Sequence, residues 1–294
     1  MLRCAQVDIL IDVRSFPTSR TYRLAIGTAR LSAGVGGISR GSMKISGLNC
    51  SPHRFTPVAN WPDALRVVRR EAAMNFYDRW VLPPILDLVM QQAPLEKYRR
   101  AVIGGATGCV LEVGVGSGLN FPLYGKQVET VLGIDPSPRL LAIALRRAAA
   151  AGVQADLMLG SATAIPLADS TVDTVVMTWT LCSIPDPLAA LREMRRVLKP
   201  SGQLLFVEHG LSPQKAVDRW QRRLTPMWRH IAGGCHLDRK VDDLIRSVGF
   251  EMTELRMEYA NGPRPMTYMY LGRAQPSSNA SRGSVMHVAV EAND

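Results

Sequence analysis

Three glycines and an acidic residue are spaced as they would be in a nucleoside-binding site. Gly114, Gly116 and Gly118 follow a short apolar stretch that begins at Val110. Glycines at the end of a strand let the backbone approach a ligand where a Cβ atom would collide. A second apolar stretch ends at Asp135, whose carboxylate can accept hydrogen bonds from a pair of ribose hydroxyls. The separation between the two stretches fits one crossover from a strand through a helix to the next strand, so the pattern predicts a nucleoside site.

The pattern differs from the fingerprint of dinucleotide-binding folds. That fingerprint, Gly-x-Gly-x-x-Gly, requires a glycine at position 119, where this chain has Leu119. Glu112 lies just before the first glycine, where a carboxylate can meet the cationic end of an amino-acid-bearing nucleoside but would repel a pyrophosphate. A tight strand-to-helix turn that binds nothing is the remaining interpretation. The residues favour S-adenosylmethionine as the ligand.

Composition narrows the classes of partner. The chain has 294 residues, 47% of them hydrophobic, which suits one large α/β domain with extensions. The net charge of +10 is compatible with an anionic partner, but many of the basic residues lie in the first sixty positions. No run of Lys and Arg interleaved with aromatic residues indicates a nucleic-acid-binding face. Nucleic acid is therefore disfavoured. Five scattered cysteines without a C-x-x-C pair disfavour a disulfide framework and suit a reducing compartment, so we expect a cytoplasmic protein.

Short apolar strands alternate with helices after the glycine motif, which is typical of a parallel sheet with helices on both faces. The predicted strands are 110–113, 131–134, 154–159, 172–177 and 203–208, and the predicted helices are 138–151, 186–198 and 240–248. Two further strands, 250–259 and 265–271, are joined by Ala-Asn-Gly-Pro, a hairpin signal. The sequence thus predicts an α/β fold with a Rossmann-like, doubly wound, mostly parallel seven-stranded sheet that ends in an antiparallel hairpin.

Three segments are predicted along the chain. Residues 1–60 form an N-terminal extension that we expect to be partly disordered, with a strand-like run at 5–16. Residues 61–274 form the nucleoside-binding domain, and residues 275–294 are expected to be a disordered tail. Helical patterns from Trp61, and again at 85–92, predict helices that either cover the open end of the sheet or only pack against it.

From about residue 75 to residue 274 the chain resembles class I S-adenosylmethionine-dependent methyltransferases of type 11. The segments that carry the resemblance are LEVGVGSGLNFPLY, GIDPS, VDTVVMTWTLCSIPDP, LREMRRVLKPSGQLLFVEHG and GGCHLDR. Within this family the chain resembles the branch that includes the methyltransferase-like 7 thiol methyltransferases and bacterial phospholipid and ubiquinone-type methyltransferases. The resemblance implies S-adenosylmethionine as cofactor.

By position, the resemblance also implies which residues bind the cofactor. Ser161 and Ala162 fall where the family usually has an aspartate that accepts from the adenine amino group, and a serine there offers an oxygen without charge. The implied set comprises the methionine-side residues Glu112, Gly114, Gly116 and Gly118, the ribose-side Asp135, the adenine-side Pro136, Ser137, Ser161 and Ala162, and Thr180 and Leu181 in the methyl-donor pocket.

Methyl transfer from a sulfonium requires positioning, exclusion of water and, for some acceptors, removal of a proton. His209, after a predicted strand, and His236, in GGCHLDR, are the candidate catalytic residues for that proton. A structural role is the alternative for each of them. We expect no metal site, because the histidines are dispersed and the pair Cys235-His236 is too small a ligand set for zinc.

We therefore predict an enzyme that transfers a methyl group to a small or lipid-like acceptor, at a thiol or an amine. The alternatives are C- or O-methylation of a quinone-type precursor, a non-catalytic S-adenosylmethionine-binding protein, and a nicotinamide oxidoreductase. The basic, aromatic segment 211–231 could rest on an anionic membrane as a peripheral contact, or it could be a solvated helix face. The oligomeric state is left open.

Overall fold

The computed structural model describes residues 23–25 and 77–277, and eight strands of this part form one mixed sheet. The strands are β1 (Arg23–Ala25), β2 (Gly108–Val113), β3 (Val128–Asp135), β4 (Ala155–Leu159), β5 (Val172–Thr178), β6 (Leu198–His209), β7 (Phe250–Tyr259) and β8 (Tyr268–Pro276). Their order across the sheet is β1-β4-β3-β2-β5-β6-β8-β7. The strands from β1 to β6 pair in parallel, and β8 is antiparallel to both β6 and β7.

Six α-helices accompany the sheet in the same described ranges. They are α1 (Leu82–Met90), α2 (Ala93–Ile103), α3 (Pro138–Ala151), α4 (Pro187–Val197), α5 (Lys215–Ile231) and α6 (Val241–Ser247). The boundaries of α3 follow from local chemistry: the Ser137 side chain accepts from the Leu140 N–H at the start, and Gly152 ends the helix in the left-handed conformation. Within these ranges no helix is both long enough and apolar enough to cross a bilayer.

The predicted fold class is confirmed. The seven predicted strands are present, and β1 adds an eighth, three-residue strand at the edge beside β4. The last strand was predicted at 265–271, whereas β8 is Tyr268–Pro276, because Arg264–Met266 form a 3₁₀ turn first. β8 therefore continues two residues past position 274, into the predicted tail. The strand-like run at 5–16, the extension at 26–60 and the helix expected from Trp61 lie outside the described residues.

Burial explains why these segments form strands. Val110, Leu111 and Val113 of β2 are fully buried, as expected for a parallel strand that is covered by helices on both faces. β2 lies between β3 and β5. Later strands are therefore added on one side of β2 and then on the other, so the strand order reverses at β2. Ligands of open α/β sheets bind at such a switch point, outside the carboxyl ends of the strands. The glycines and the acid of the predicted site lie at this point.

Candidate active site

A cleft of about 740 Å³ lies at the carboxyl ends of β2, β3, β5 and β6. Residues of α1 and of the end of α5 form its outer wall. The Asp87 carboxylate of α1 accepts from Arg147 Nη1 of α3 at 2.6 Å, and Arg147 also donates to the Ser117 carbonyl at 2.9 Å. The Tyr77 hydroxyl donates to the Ile231 carbonyl at 3.0 Å. These contacts hold α1 over the open end of the sheet.

The three glycines of the motif have different structural roles. All three have positive φ angles, from +53° to +78°. A Cβ atom at Gly114 would lie 2.3 Å from the Thr180 side chain, and one at Gly118 would lie 2.5 Å from the Phe121 ring. At Gly116 the nearest described atom is a backbone oxygen at 3.9 Å, and this residue lines the cleft. Packing of the protein itself requires glycine at 114 and 118, whereas Gly116 leaves a bare backbone surface for a ligand.

A buried acid and its amide neighbour lie at one end of the cleft. The Glu112 carboxylate accepts from the Asn120 side-chain amide at 2.9 Å and from the Tyr124 hydroxyl at 2.6 Å. Burial raises the pKa of Glu112 to about 7, although both hydrogen bonds oppose the shift. Asn120 Oδ1 is buried and has no hydrogen-bond partner among the described residues. A ligand that carries N–H donors would satisfy this acceptor and meet the carboxylate.

A buried cation lies at the same end. The Arg99 side chain is only 4% exposed, lines the cleft and stacks on the Trp179 ring at 4.7 Å. Burial lowers the pKa of Arg99 to about 10, and the charge of Glu112 opposes the shift. A carboxylate acceptor and a guanidinium donor therefore lie at one end of the cleft. This pair complements the ammonium and carboxylate of an amino acid, so the residues present fit the methionine moiety of S-adenosylmethionine.

Asp135, at the end of β3, is held by backbone amides. It accepts from the Gly116 N–H at 2.9 Å and from the Ser137 N–H at 2.8 Å, one to each oxygen. Burial raises the pKa of Asp135 to about 6, and these two hydrogen bonds oppose the shift. Each carboxylate oxygen can accept a second hydrogen bond, as a pair of ribose hydroxyls would require. Pro136 and Ser137 continue the wall of the cleft.

The loop after β4 departs from the family pattern. Ser161 and Ala162 both line the cleft. The Ser161 hydroxyl lies 2.8 Å from the Thr163 hydroxyl and accepts from the Thr163 N–H at 3.2 Å. The side-chain oxygen is thus engaged within its own turn. Any contact between Ser161 and the adenine amino group would compete with this turn.

The loop after β5 is organised by Glu208, which is fully buried near the end of β6. Its carboxylate accepts from the N–H groups of Thr180, Leu181 and Cys182 at 2.7, 2.8 and 3.2 Å. Burial raises the pKa of Glu208, and the three backbone donors oppose the shift. Thr180 lines the cleft, whereas the Leu181 side chain is buried in the core beneath it.

The two candidate histidines lie in different places. His209 is the last residue of β6 and lines the cleft, with its ring 6.5 Å from the Trp179 ring. His236 does not line the cleft: its Nδ1 lies 3.5 Å from Asp238 Oδ1. Burial and the nearby Arg239 lower the pKa of His236. The chain turns the His236 side chain towards Asp238 and away from the cleft, and its catalytic role stays a prediction.

Most of the other predicted residues converge. The predicted residues that line the cleft are Glu112, Gly114, Gly116, Asp135, Pro136, Ser137, Ser161, Ala162, Thr180 and His209. Gly118 and Leu181 support the loops from beneath. The sequence interpretation missed Arg99 and Asn120, and it placed Glu208 with His209 at the strand end without predicting that Glu208 holds the loop after β5. Asn120 and Glu208 stand inside segments that carry the family resemblance, whereas no motif marks Arg99.

Comparison with known proteins identifies the family. Residues 111–206 match the family model described as a methyltransferase domain. The chain is 33% identical over 199 residues to human thiol S-methyltransferase TMT1B, covering 65% of this chain and 80% of that protein. It is 35% identical over 167 residues to the rat protein of the same name, covering 55% of this chain and 66% of the relative. Phosphatidylethanolamine N-methyltransferase of Cereibacter sphaeroides is 33% identical over 141 residues, which cover 47% and 68% of the two chains.

Solved structures share the fold. A candidate methyltransferase from Bacillus halodurans superposes with a TM-score of 0.54 at 18% identity, covering 64% of this chain and all of the other. The YcgJ protein of Bacillus subtilis gives 0.51 at 15% identity, with 63% and 98% covered. The solved structures show the fold, and the relatives show that the chain belongs to the class I S-adenosylmethionine-dependent methyltransferases.

Proposed function

We propose that this methyltransferase acts on a small apolar acceptor that carries a thiol. The observation that supports the proposal is the composition of the cleft. The residues predicted to bind the cofactor lie on the sheet side, and an apolar wall lies on the helix side. His209 lines the cleft near Trp179 and Cys235. The bound cofactor supplies a methyl group already activated on a sulfonium. The chain has to orient the acceptor, exclude water and favour loss of the acceptor proton.

The apolar wall on the helix side of the cleft favours an apolar substrate. Leu82, Leu86 and Val89 of α1 face the cleft together with Trp228 and Ile231 of α5. Ile85, Val89 and Ile231 line the cleft and are 44%, 45% and 50% exposed. An apolar molecule would bury this surface on binding and gain about 25 cal/mol for each Å² removed from water. The thiol S-methyltransferase relatives favour sulfur as the accepting atom.

We assign to His209, which lines the cleft near Cys235, the task of favouring the deprotonated acceptor. In a His209→Gln variant, methyl transfer to an apolar thiol should fall about 10²-fold at pH 7. The deficit should shrink as the pH approaches the pKa of the thiol, since the acceptor then ionises without help. His236→Gln should change the rate less than about twofold. Initial rates across a pH series check this, and an unaffected His209→Gln rate at pH 7 would refute the assignment.

The acceptor class is tested directly with a labelled methyl donor. The full chain is incubated with the donor and, in parallel, with an apolar thiol, phosphatidylethanolamine vesicles and a demethylated quinone. We expect label in the thioether of the thiol. Label only in the amine or only in the quinone would contradict the thiol assignment. Binding of the donor without label in any acceptor would instead favour a non-catalytic binding protein.

Cofactor binding should weaken as the pH falls, because Glu112 and Asp135 must be ionised to hold the cation and the ribose. Their pKa values are raised by burial from 4.5 to about 7 and from 3.8 to about 6. The dissociation constant should therefore be about tenfold or more larger at pH 5.5 than at pH 7.5, as one unit of pKa corresponds to a factor of ten. Isothermal titration calorimetry across this range checks the expectation, and a flat profile would contradict it.

The stability of the folded protein should depend on pH in the opposite direction to cofactor binding. The folded pKa of each acid lies above its unfolded value, so folding takes up protons between about pH 4 and pH 7. The free energy of unfolding of the cofactor-free protein should thus fall as the pH rises through this window. Glu112→Gln serves as the matched variant and should weaken cofactor binding at pH 7.5. The pH dependence of stability that remains in this variant should be centred at about pH 6, where Asp135 titrates.

A further inference from the structure

Three side chains of metal-binding type meet at the wall of the cleft, although they are far apart in sequence. Cys182 follows β5, His209 ends β6, and Cys235 lies in the loop after α5. Their ligand atoms all lie within 4.8 Å of one another, and Cys235 Sγ is 4.0 Å from His209 Nδ1. Neither cysteine forms a disulfide, and all three residues line the cleft.

Backbone hydrogen bonds fix the three segments relative to one another. The Cys182 N–H donates to Glu208 at 3.2 Å, and Glu208 immediately precedes His209. The Cys182 carbonyl accepts at 2.8 Å from the N–H of His236, which immediately follows Cys235. The three side chains are therefore positioned by the fold itself, as a preorganised site requires.

The geometry is close to that of a zinc site with three protein ligands. With bonds of about 2.3 Å to sulfur and 2.0–2.1 Å to nitrogen, a tetrahedral zinc ion separates its ligand atoms by roughly 3.5–3.8 Å. The ligand atoms here would have to approach one another by up to about 1.3 Å, which small side-chain rotations can supply. Three protein ligands leave one position open, the arrangement of catalytic rather than structural zinc sites.

The Arg239 cation favours thiolates at this cluster, whereas the buried Glu208 carboxylate disfavours them. The Arg239 guanidinium interacts electrostatically with Cys182, Cys235 and Glu208, and it donates to the Leu181 carbonyl beside them. A divalent cation would neutralise both thiolates once they form.

We propose that Cys182, His209 and Cys235 bind a thiophilic divalent cation such as zinc, whose open position faces the cleft and takes the acceptor sulfur as a thiolate. The role of the cation in the reaction rests on the proposed function. The acceptor thiol releases its proton to solvent when its sulfur coordinates. The new S–CH₃ bond then forms as the sulfonium S–CH₃ bond of the donor breaks, leaving a thioether and S-adenosylhomocysteine. With His209 as a ligand, the charge of the cation, rather than the imidazole, favours loss of the acceptor proton.

Cobalt titration of the full-length, metal-free protein tests the proposal. One equivalent of cobalt should bind and produce a thiolate-to-cobalt charge-transfer band together with the visible bands of a tetrahedral site. Cys182→Ser and Cys235→Ser should abolish the charge-transfer band or weaken cobalt binding at least about tenfold, as should His209→Gln. Cys109→Ala, at a buried cysteine of β2 outside the cluster, should keep the spectrum. S-adenosylmethionine binding reports whether each variant is folded.

Acceptor coordination is tested by adding an apolar thiol to the cobalt-loaded wild-type protein, which should intensify and shift the charge-transfer band. Lack of cobalt or zinc uptake, with methyl transfer intact, would overturn the metal site and leave the proposed function standing. A spectrum that does not respond to the thiol would overturn acceptor coordination. A cobalt site that responds to the thiol in a protein that methylates no acceptor would support the site and defeat the proposed function.

Discussion

Gly116→Val should abolish S-adenosylmethionine binding while the protein stays folded. Gly116 has a φ of +53° and contributes bare backbone to the cleft, with no described heavy atom within 3.8 Å of where a Cβ would lie. A valine side chain would fill the space that the methionine moiety needs. It would also hold a β-branched residue in the left-handed region, which costs about 1–2 kcal/mol. We expect the dissociation constant to rise at least about a hundredfold, or about 2.7 kcal/mol.

Gly152→Val separates backbone strain from the loss of space for the ligand. Gly152 ends α3 with a φ of +66° and does not line the cleft. This control should lose a similar amount of stability in chemical denaturation yet bind the cofactor as the wild type does. Titration calorimetry on both variants provides the comparison. Intact binding by Gly116→Val, or equal loss of binding by both variants, would remove the support for the glycine loop as the cofactor cradle.

The second large effect is expected at Glu208, which touches no acceptor or cofactor in the proposed arrangement but holds the loop after β5. Glu208→Ala would leave the buried N–H groups of Thr180, Leu181 and Cys182 without their acceptor. An unsatisfied buried donor costs about 1–3 kcal/mol, and loss of the desolvated carboxylate offsets part of the total. We expect the free energy of unfolding to fall by about 3 kcal/mol in urea titrations followed by circular dichroism.

Glu208→Gln is the matched variant, because its single carbonyl oxygen can still accept from Thr180 and Leu181 while its amide group meets the Cys182 N–H unfavourably. Its loss of stability should fall between those of the alanine variant and the wild type. Glu251→Ala, on the exposed face of β7, should change stability by less than about 0.5 kcal/mol. A Glu208→Ala protein as stable as the Glu251 control would show that the three hydrogen bonds do not stabilise the loop.

The sequence predicted the sheet correctly, and it predicted residues that the structure brings together at one cleft, for a physical reason. Parallel strands covered on both faces are continuous apolar runs, and the carboxyl ends of neighbouring strands meet at one edge. Once β2 and β3 were recognised, Gly116 and Asp135 had to lie close together. The same logic does not reach Arg99, because α2 packs beside the sheet and no spacing rule relates its residues to the glycine loop.

The acceptor side was harder to predict, because side-chain direction there depends on turns. Gly233 and Gly234 both have positive φ angles, and the chain that leaves them directs Cys235 into the cleft and His236 towards Asp238. The sequence interpretation weighed Cys235 only with His236, as a pair too small for zinc. The fold instead brings Cys235 close to His209 and Cys182, which are 26 and 53 positions away. β1 was missed for a different reason: a three-residue strand is too short to show periodicity.

The walls of the cleft come from two separate parts of the fold. Strand ends of the sheet form one wall, where we propose that the donor binds, and α1 and the end of α5 form the other, where we propose that the acceptor binds. Substitutions that broaden or narrow the range of acceptors can therefore accumulate on these two helices without changing the residues proposed to bind the donor. This separation allows the substrate specificity to diverge while the donor site is kept.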